Sequence, residues 1–135
     1  MATLKTKYLG NLRTEIEHLQ SGNKITTDAP TDNNGKGEYI SPTDMLAAAL
    51  GSCMLTIMGI SAQRNGFSID GTTIDTTKVM GTDPRRVAEL HLTFNFPHDY
   101  TDTQKRMLEN AMRTCPVEYS LHPDIKREFK FNYGK

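Results

Sequence analysis

The segment from Ser41 to Asn65, SPTDMLAAALGSCMLTIMGISAQRN, is apolar on nearly every face at helical spacing. That is the pattern of a helix enclosed by other layers rather than one lying on a surface. Its start is strongly marked. Ser41 can act as N-cap, Pro42 suits the first helical position, where an N–H would be unpaired in any case, and Asp44 completes a Ser-x-x-Asp capping pattern. Asn65-Gly66 supplies a left-handed C-cap. A buried helix of this kind needs covering elements, so the rest of the chain must provide them.

Those elements can be read on both sides of it. At the N-terminus Leu4, Thr6 and Tyr8 alternate with Thr3, Lys5 and Lys7. After a Gly10-Asn11 turn, Leu12, Thr14, Ile16 and His18 alternate with Arg13, Glu15 and Glu17. Ser21-Gly22-Asn23 turns the chain again toward a short strand near Ile25, so the spacing predicts an antiparallel meander. Residues 28–38, DAPTDNNGKGE, form a surface loop by composition, long enough to suggest a functional role. Beyond the helix, SIDGTTIDTTKVM is strand-like, with a bend or bulge expected at Gly71. Asp83-Pro84 marks a turn, and RRVAELHLTFNF places Ala88, Leu90, Leu92, Phe94 and Phe96 on one face. Thr101 or Asp102 caps a second helix with a stripe of Met107, Leu108, Ala111 and Met112. Cys115-Pro116 interrupts that helix, VEYSL forms a short helical turn, and Phe129, Phe131 and Tyr133 alternate in a last strand. The order predicts an α+β chain, with antiparallel sheets packed around the buried helix. No repeat or linker divides it, and 135 residues suit a single domain, 1–135.

Sixteen basic residues balance sixteen acidic ones, so no net field draws the chain to nucleic acid or to an anionic membrane. The N-terminus lacks the apolar stretch of a signal peptide, and no run is expected to span a bilayer. A cytoplasmic location follows as the default. With no Trp, seven Met and a mean hydropathy of −0.55, the core is modest and adaptable, and such a chain gains by dimerising.

In a reducing compartment the two cysteines, Cys53 and Cys115, are more readily free, metal-bound or catalytic than a permanent staple. They form no CxxC. The four histidines show no ligand spacing, and Gly35-Lys36-Gly37 lacks the context of a phosphate loop, so no cofactor is expected. Cys115 precedes Pro116, and as the N-cap of a short helix its sulfur would face unpaired amides that lower a thiol pKa; a small capping or buried residue is the plainer alternative. Cys53 lies in the third to fourth turn of the long helix, among Ala49, Leu50, Thr56 and Ile57. It is either a packed core thiol or a reactive one supplied with a cation from elsewhere. Arg13 lies on the polar face of an early strand, whereas Arg64, Arg85, Arg86, Arg106, Arg113 and Arg127 read as surface residues.

SPTDMLAAALGSC, followed much later by CPVEYSL, resembles the OsmC/Ohr family, the osmotically inducible protein C and organic hydroperoxide resistance proteins. The resemblance covers most of the chain. It implies an OsmC-like fold, an intertwined homodimer with its sites at the interface, and a thiol peroxidase of the oxidative stress response that reduces organic hydroperoxides. On this resemblance Cys53 is the peroxidatic thiol, Cys115 resolves its sulfenic acid as a disulfide, and an external dithiol reopens it. Arg13 matches the family's activating arginine. Asp44 is the candidate for the carboxylate that holds it, although many relatives have Glu there, and some place it where this chain has Thr43. Asp44 precedes Cys53 by nine residues, which on one helix puts them on opposite faces roughly 13 Å apart. Asp44 and Arg13 are therefore expected to serve the Cys53 of a second copy. A redox sensor, or a hydrophobic-ligand-binding dimer on the same fold, is the alternative.

Overall fold

Alternation in the first strands produces a small three-stranded sheet. The computed structural model describes residues 1–134, and the chain falls into two compact units, Met1–Leu46 and Ala47–Lys135. In the first unit β1 (Leu4–Gly10), β2 (Arg13–His18) and β3 (Lys24–Asp28) form an antiparallel sheet in that order, as the meander pattern predicts. Register puts Leu4, Tyr8, Ile16 and Ile25 on one face. On the other, Lys7 lies opposite Glu15, Lys5 opposite Glu17, and Glu17 opposite Lys24, so unlike charges meet across the strands. The loop after β3 carries a short 3-10 turn, Thr31–Asn33, and folds back through Gly35 N–H to Pro30 O and Gly37 N–H to Ala29 O. Gly35 is required there, because a Cβ would lie 1.8 Å from the Ala29 carbonyl oxygen.

The second unit begins inside α1 (Pro42–Arg64). Its sheet runs β4 (Thr73–Gly81), β5 (Arg86–Phe96) and β6 (Lys126–Tyr133), with α2 (Asp102–Met112) and α3 (Pro116–Ser120) between the last two strands. β4 and β5 form the expected antiparallel hairpin, and Gly71, at φ +90°, bends the chain before β4. β6 departs from expectation by pairing parallel to β5. The connection carries two helices across the sheet and returns the chain to the end where β5 began, which makes the pairing parallel. A second correction concerns β5. A bulge sets Val79 opposite Glu89 but Met80 opposite Val87, so Ala88 is the extra residue and Val87, not Ala88, takes the buried position.

α2 starts with a full capping box between Thr101 and Gln104, which settles the cap on Thr101. The core joins Leu50, Met54 and Met58 of α1 to Leu90, Leu92 and Phe94 of β5 and to Leu108 and Met112 of α2. Aromatic rings layer along the sheet, with Phe94 5.0 Å from Phe131 and Phe96 4.7 Å from Tyr133, centroid to centroid. Gly51 lets α1 approach closely; a Cβ there would meet the Ile74 Cδ1 at 3.4 Å.

The long helix is not enclosed by its own chain. It buries Ala47, Leu50, Gly51, Met54, Met58 and Ala62, while Leu46 and Ile60 remain 38% and 40% exposed. One stripe of an all-round apolar helix is covered, while other apolar positions stay partly exposed among the described residues. At 23 residues and a mean hydropathy of 1.8 over its most apolar window, α1 is long and apolar enough to cross a membrane by length and composition alone, contrary to the sequence expectation. Its covered stripe nevertheless packs into the core described above.

Candidate active site

Two cysteines 62 positions apart in the sequence come together in the second unit. Helical periodicity sets Cys53 beside the buried stripe of α1, half-buried and packed against the core. Cys115 ends the loop after α2 as the N-cap residue of α3, and it is completely buried. Both thiols are free; Cys53 packs against the core that contains Cys115, near enough to raise the Cys115 pKa.

Of the two local readings of Cys115, the buried capping residue holds and the lowered thiol pKa does not. Burial pushes its pKa up, and the hydrogen bond to Cys53 adds to this; the Val117 and Glu118 amides face the sulfur and oppose the shift without outweighing it. No side-chain capping hydrogen bond forms. Removal from water therefore decides the result, because it penalises the thiolate more than the first amides of a five-residue helix favour it. Burial thus favours the protonated thiol at Cys115. The two sulfurs differ sharply in access: one is partly open to solvent and the other sealed.

Asp44 does what its position in the capping pattern predicts. Its N–H donates to Ser41 Oγ at 3.0 Å, and its carboxylate accepts from the Ser41 N–H at 3.1 Å. Ser41 is itself buried, so the cap fixes the start of α1 firmly.

Arg13 opens β2, and its carboxylate partners come from β3 and the following loop. Asp28 lies directly across from it in register, and the guanidinium reaches the Asp28 carboxylate at 3.4 Å. Glu38 pairs with the same nitrogen, and the ring of Tyr39 lies 5.1 Å below the guanidinium carbon. The Glu38 N–H donates to Asp28 at 3.0 Å, tying the loop to the fully buried carboxylate. Hydrogen bonding to Glu38 first, and then the charge of Asp28, hold the Arg13 pKa above its ordinary value against the opposing effect of burial. Arg13 Nε and Asp28 Oδ1 are buried without hydrogen-bond partners among the described residues.

Asp28, Glu38 and Tyr39 had not been singled out in the sequence. Asp28 was assigned to the loop, one residue beyond the expected strand. Extending the meander to include it would have set it opposite Arg13. Arg127 is a further correction, because its side chain is only 13% exposed rather than on the surface, and it pairs with Glu118 of α3.

Comparison with known proteins bears on what this arrangement belongs to. A protein from Psychrobacter arcticus 273-4, described as a candidate osmotic stress induced and detoxification response protein, shares 51% identity with a TM-score of 0.94, covering 98% of this chain and 96% of that one. The organic hydroperoxide resistance protein OsmC of Legionella pneumophila shares the fold at 14% identity, with a TM-score of 0.75 and 98% of each chain covered. An OsmC-like protein from Mycoplasma pneumoniae does so at 16% identity, with a TM-score of 0.81, covering 98% of this chain and 96% of that one. No curated protein matched. The family model described as OsmC-like protein matches residues 35–130, the stretch that carries both cysteines, and on that match the chain belongs to the OsmC/Ohr family.

Proposed function

We propose that this protein is a two-cysteine thiol peroxidase that reduces organic hydroperoxides to alcohols. The observation that carries the reading is the meeting in one core of two free thiols, one partly accessible and one buried. In the first step the Cys53 thiolate attacks the outer peroxide oxygen, the O–O bond breaks, and the alkoxide takes a proton and leaves as alcohol. Cys53 is then a sulfenic acid. Cys115 gives up its proton and attacks that sulfur; water leaves and a disulfide remains. Two exchange steps with an external dithiol return both thiols.

Arg13 is the group proposed to stabilise the Cys53 thiolate and the developing alkoxide. Its holding carboxylates are proposed to be Asp28 and Glu38, since both pair with it, whereas the Asp44 carboxylate accepts the Ser41 amide at the head of α1. The uncovered apolar faces of α1 support a homodimer, and the names of the hydroperoxide resistance proteins on this fold support the substrate class. Two thiols without a structural disulfide suit the cytoplasm.

The test uses purified protein, a dithiol and cumene or tert-butyl hydroperoxide. Consumption above a Cys53→Ser control, with a two-dalton loss mapped to one intrachain bond after stoichiometric peroxide, is expected. Equal rates for the wild type and that control would end the enzyme reading.

A further inference from the structure

We infer that Arg127 is a positioning residue for the resolving step, a clamp that holds α3 so that Cys115 meets Cys53; this rests on the peroxidase reading. α3 has only five residues, too few for a helix to persist by its own hydrogen bonds, since nucleation costs more than one turn returns. Its last carbonyls also lack helical partners. The Arg127 guanidinium supplies what is missing. Its Nη2 donates to the Glu118 carbonyl at 3.2 Å, its Nε lies 3.3 Å from the Glu118 carboxylate, and its Nη1 donates to the Ile125 carbonyl at 2.7 Å. One planar group thus holds Glu118 by a hydrogen bond to its backbone and by an ion pair, without a hydrogen bond, to its side chain, a pairing that a guanidinium can span and an ammonium cannot.

Both ends of the clamp are anchored. Arg127 is paired with Leu90 in the parallel β5–β6 register, so the guanidinium is fixed to the sheet. Glu118 lies in the single turn that Cys115 caps, where the Tyr119 N–H donates to the Cys115 carbonyl at 3.3 Å. The chain of contacts therefore runs from the sheet through Arg127 and Glu118 to the thiol that must attack the Cys53 sulfenic acid. Arg127 touches neither sulfur nor peroxide in this scheme. Its effect falls on the second step alone.

The experiment separates the two steps. Reduced wild type, Arg127→Met and Arg127→Lys are mixed with hydroperoxide; sulfenic acid on Cys53 is trapped with dimedone and the disulfide is followed by mass. In Arg127→Met, Cys53 oxidation should stay within twofold of wild type, while disulfide formation slows tenfold or more and the dimedone adduct accumulates. Arg127→Lys should recover part of the rate. Wild-type disulfide rates in Arg127→Met, or an equal fall in both steps, would overturn the inference. Should Arg127→Met fail to fold, Glu118→Gln carries the same expectation at smaller size. Oxidation by diamide, which needs no peroxidase chemistry, gives the independent reading. If the wild type closes the disulfide with diamide but not with hydroperoxide, the peroxidase reading falls, and the clamp is judged on the diamide rates alone.

Discussion

Closing the Cys53–Cys115 bond should stabilise the protein by an amount set by the loop it closes. The two residues lie 62 positions apart, and chain entropy assigns a loop of that size about 4 kcal/mol at room temperature, reduced by any native strain. The two cysteines already pack in one core near enough to interact, so the bond asks for modest movement and most of that figure should be realised. With a urea dependence of about 2 kcal/mol per molar, the midpoint of unfolding should rise by about 2 M on oxidation. The measurement compares reduced and oxidised protein by urea titration at one fixed protein concentration, because the stability of the proposed dimer would depend on concentration. Cys115→Ser, treated with the same oxidant, should show no rise. An oxidised protein with the midpoint of the reduced one, or below it, would refute the reasoning, since closure would then be distorting a site that was not poised for it.

Gly51→Ala should gain about 0.5 to 1 kcal/mol from helix propensity, because the new methyl meets side-chain carbons of Ile74 and Leu92 at 3.4 and 3.7 Å, and thermal unfolding should rise by about 2 to 5 °C. Gly51→Leu at the same contact should instead cost about 1 to 3 kcal/mol by overpacking. Arg13→Ala should lower kcat/KM for hydroperoxide by about 10²-fold to 10³-fold. Mixing it with Cys53→Ser should restore part of the activity through heterodimers, and no recovery would argue against shared sites. The folded Cys115 holds its proton above the ordinary thiol range, so its contribution to stability is complete below about pH 8.5, where the unfolded thiol ionises, and is lost as pH rises toward the folded value. Denaturation of the reduced protein across pH 7.5 to 10 should therefore fall more steeply than that of Cys115→Ala, and parallel curves would count against it.

Local signals carried the elements well. Ser41, Asp44 and Thr101 mark helix starts through short-range hydrogen bonds that a sequence states directly, and period-two alternation finds β5 because one of its faces is dry, whereas β2 alternates in sequence although all six of its residues are half-buried. Properties set by distant parts of the chain were harder to read. The parallel pairing of β6 depends on the connection between strands, not on KREFKFNY itself, and the bulge at Ala88 depends on register with Met80. The Cys115 environment failed for the same reason, since the capping position is local but the burial comes from the packed core. Arg127 left a signal that went unused: it is in phase with Phe129, Phe131 and Tyr133, the partly buried side of β6. The candidate cysteines could be named from their motifs, but their contact follows only once the crossover through α2 is folded.

On the proposed peroxidase cycle, the unequal access of the two cysteines also sets the direction of repair. An incoming reductant would meet the partly exposed Cys53 and find Cys115 shut away. The first exchange therefore joins the reductant to Cys53 and expels Cys115 as the leaving thiol. On that reading a dithiol reductant need only recognise the ground around one sulfur, and a reductant whose second thiol has been replaced would stay joined to Cys53, because nothing is then left to expel it.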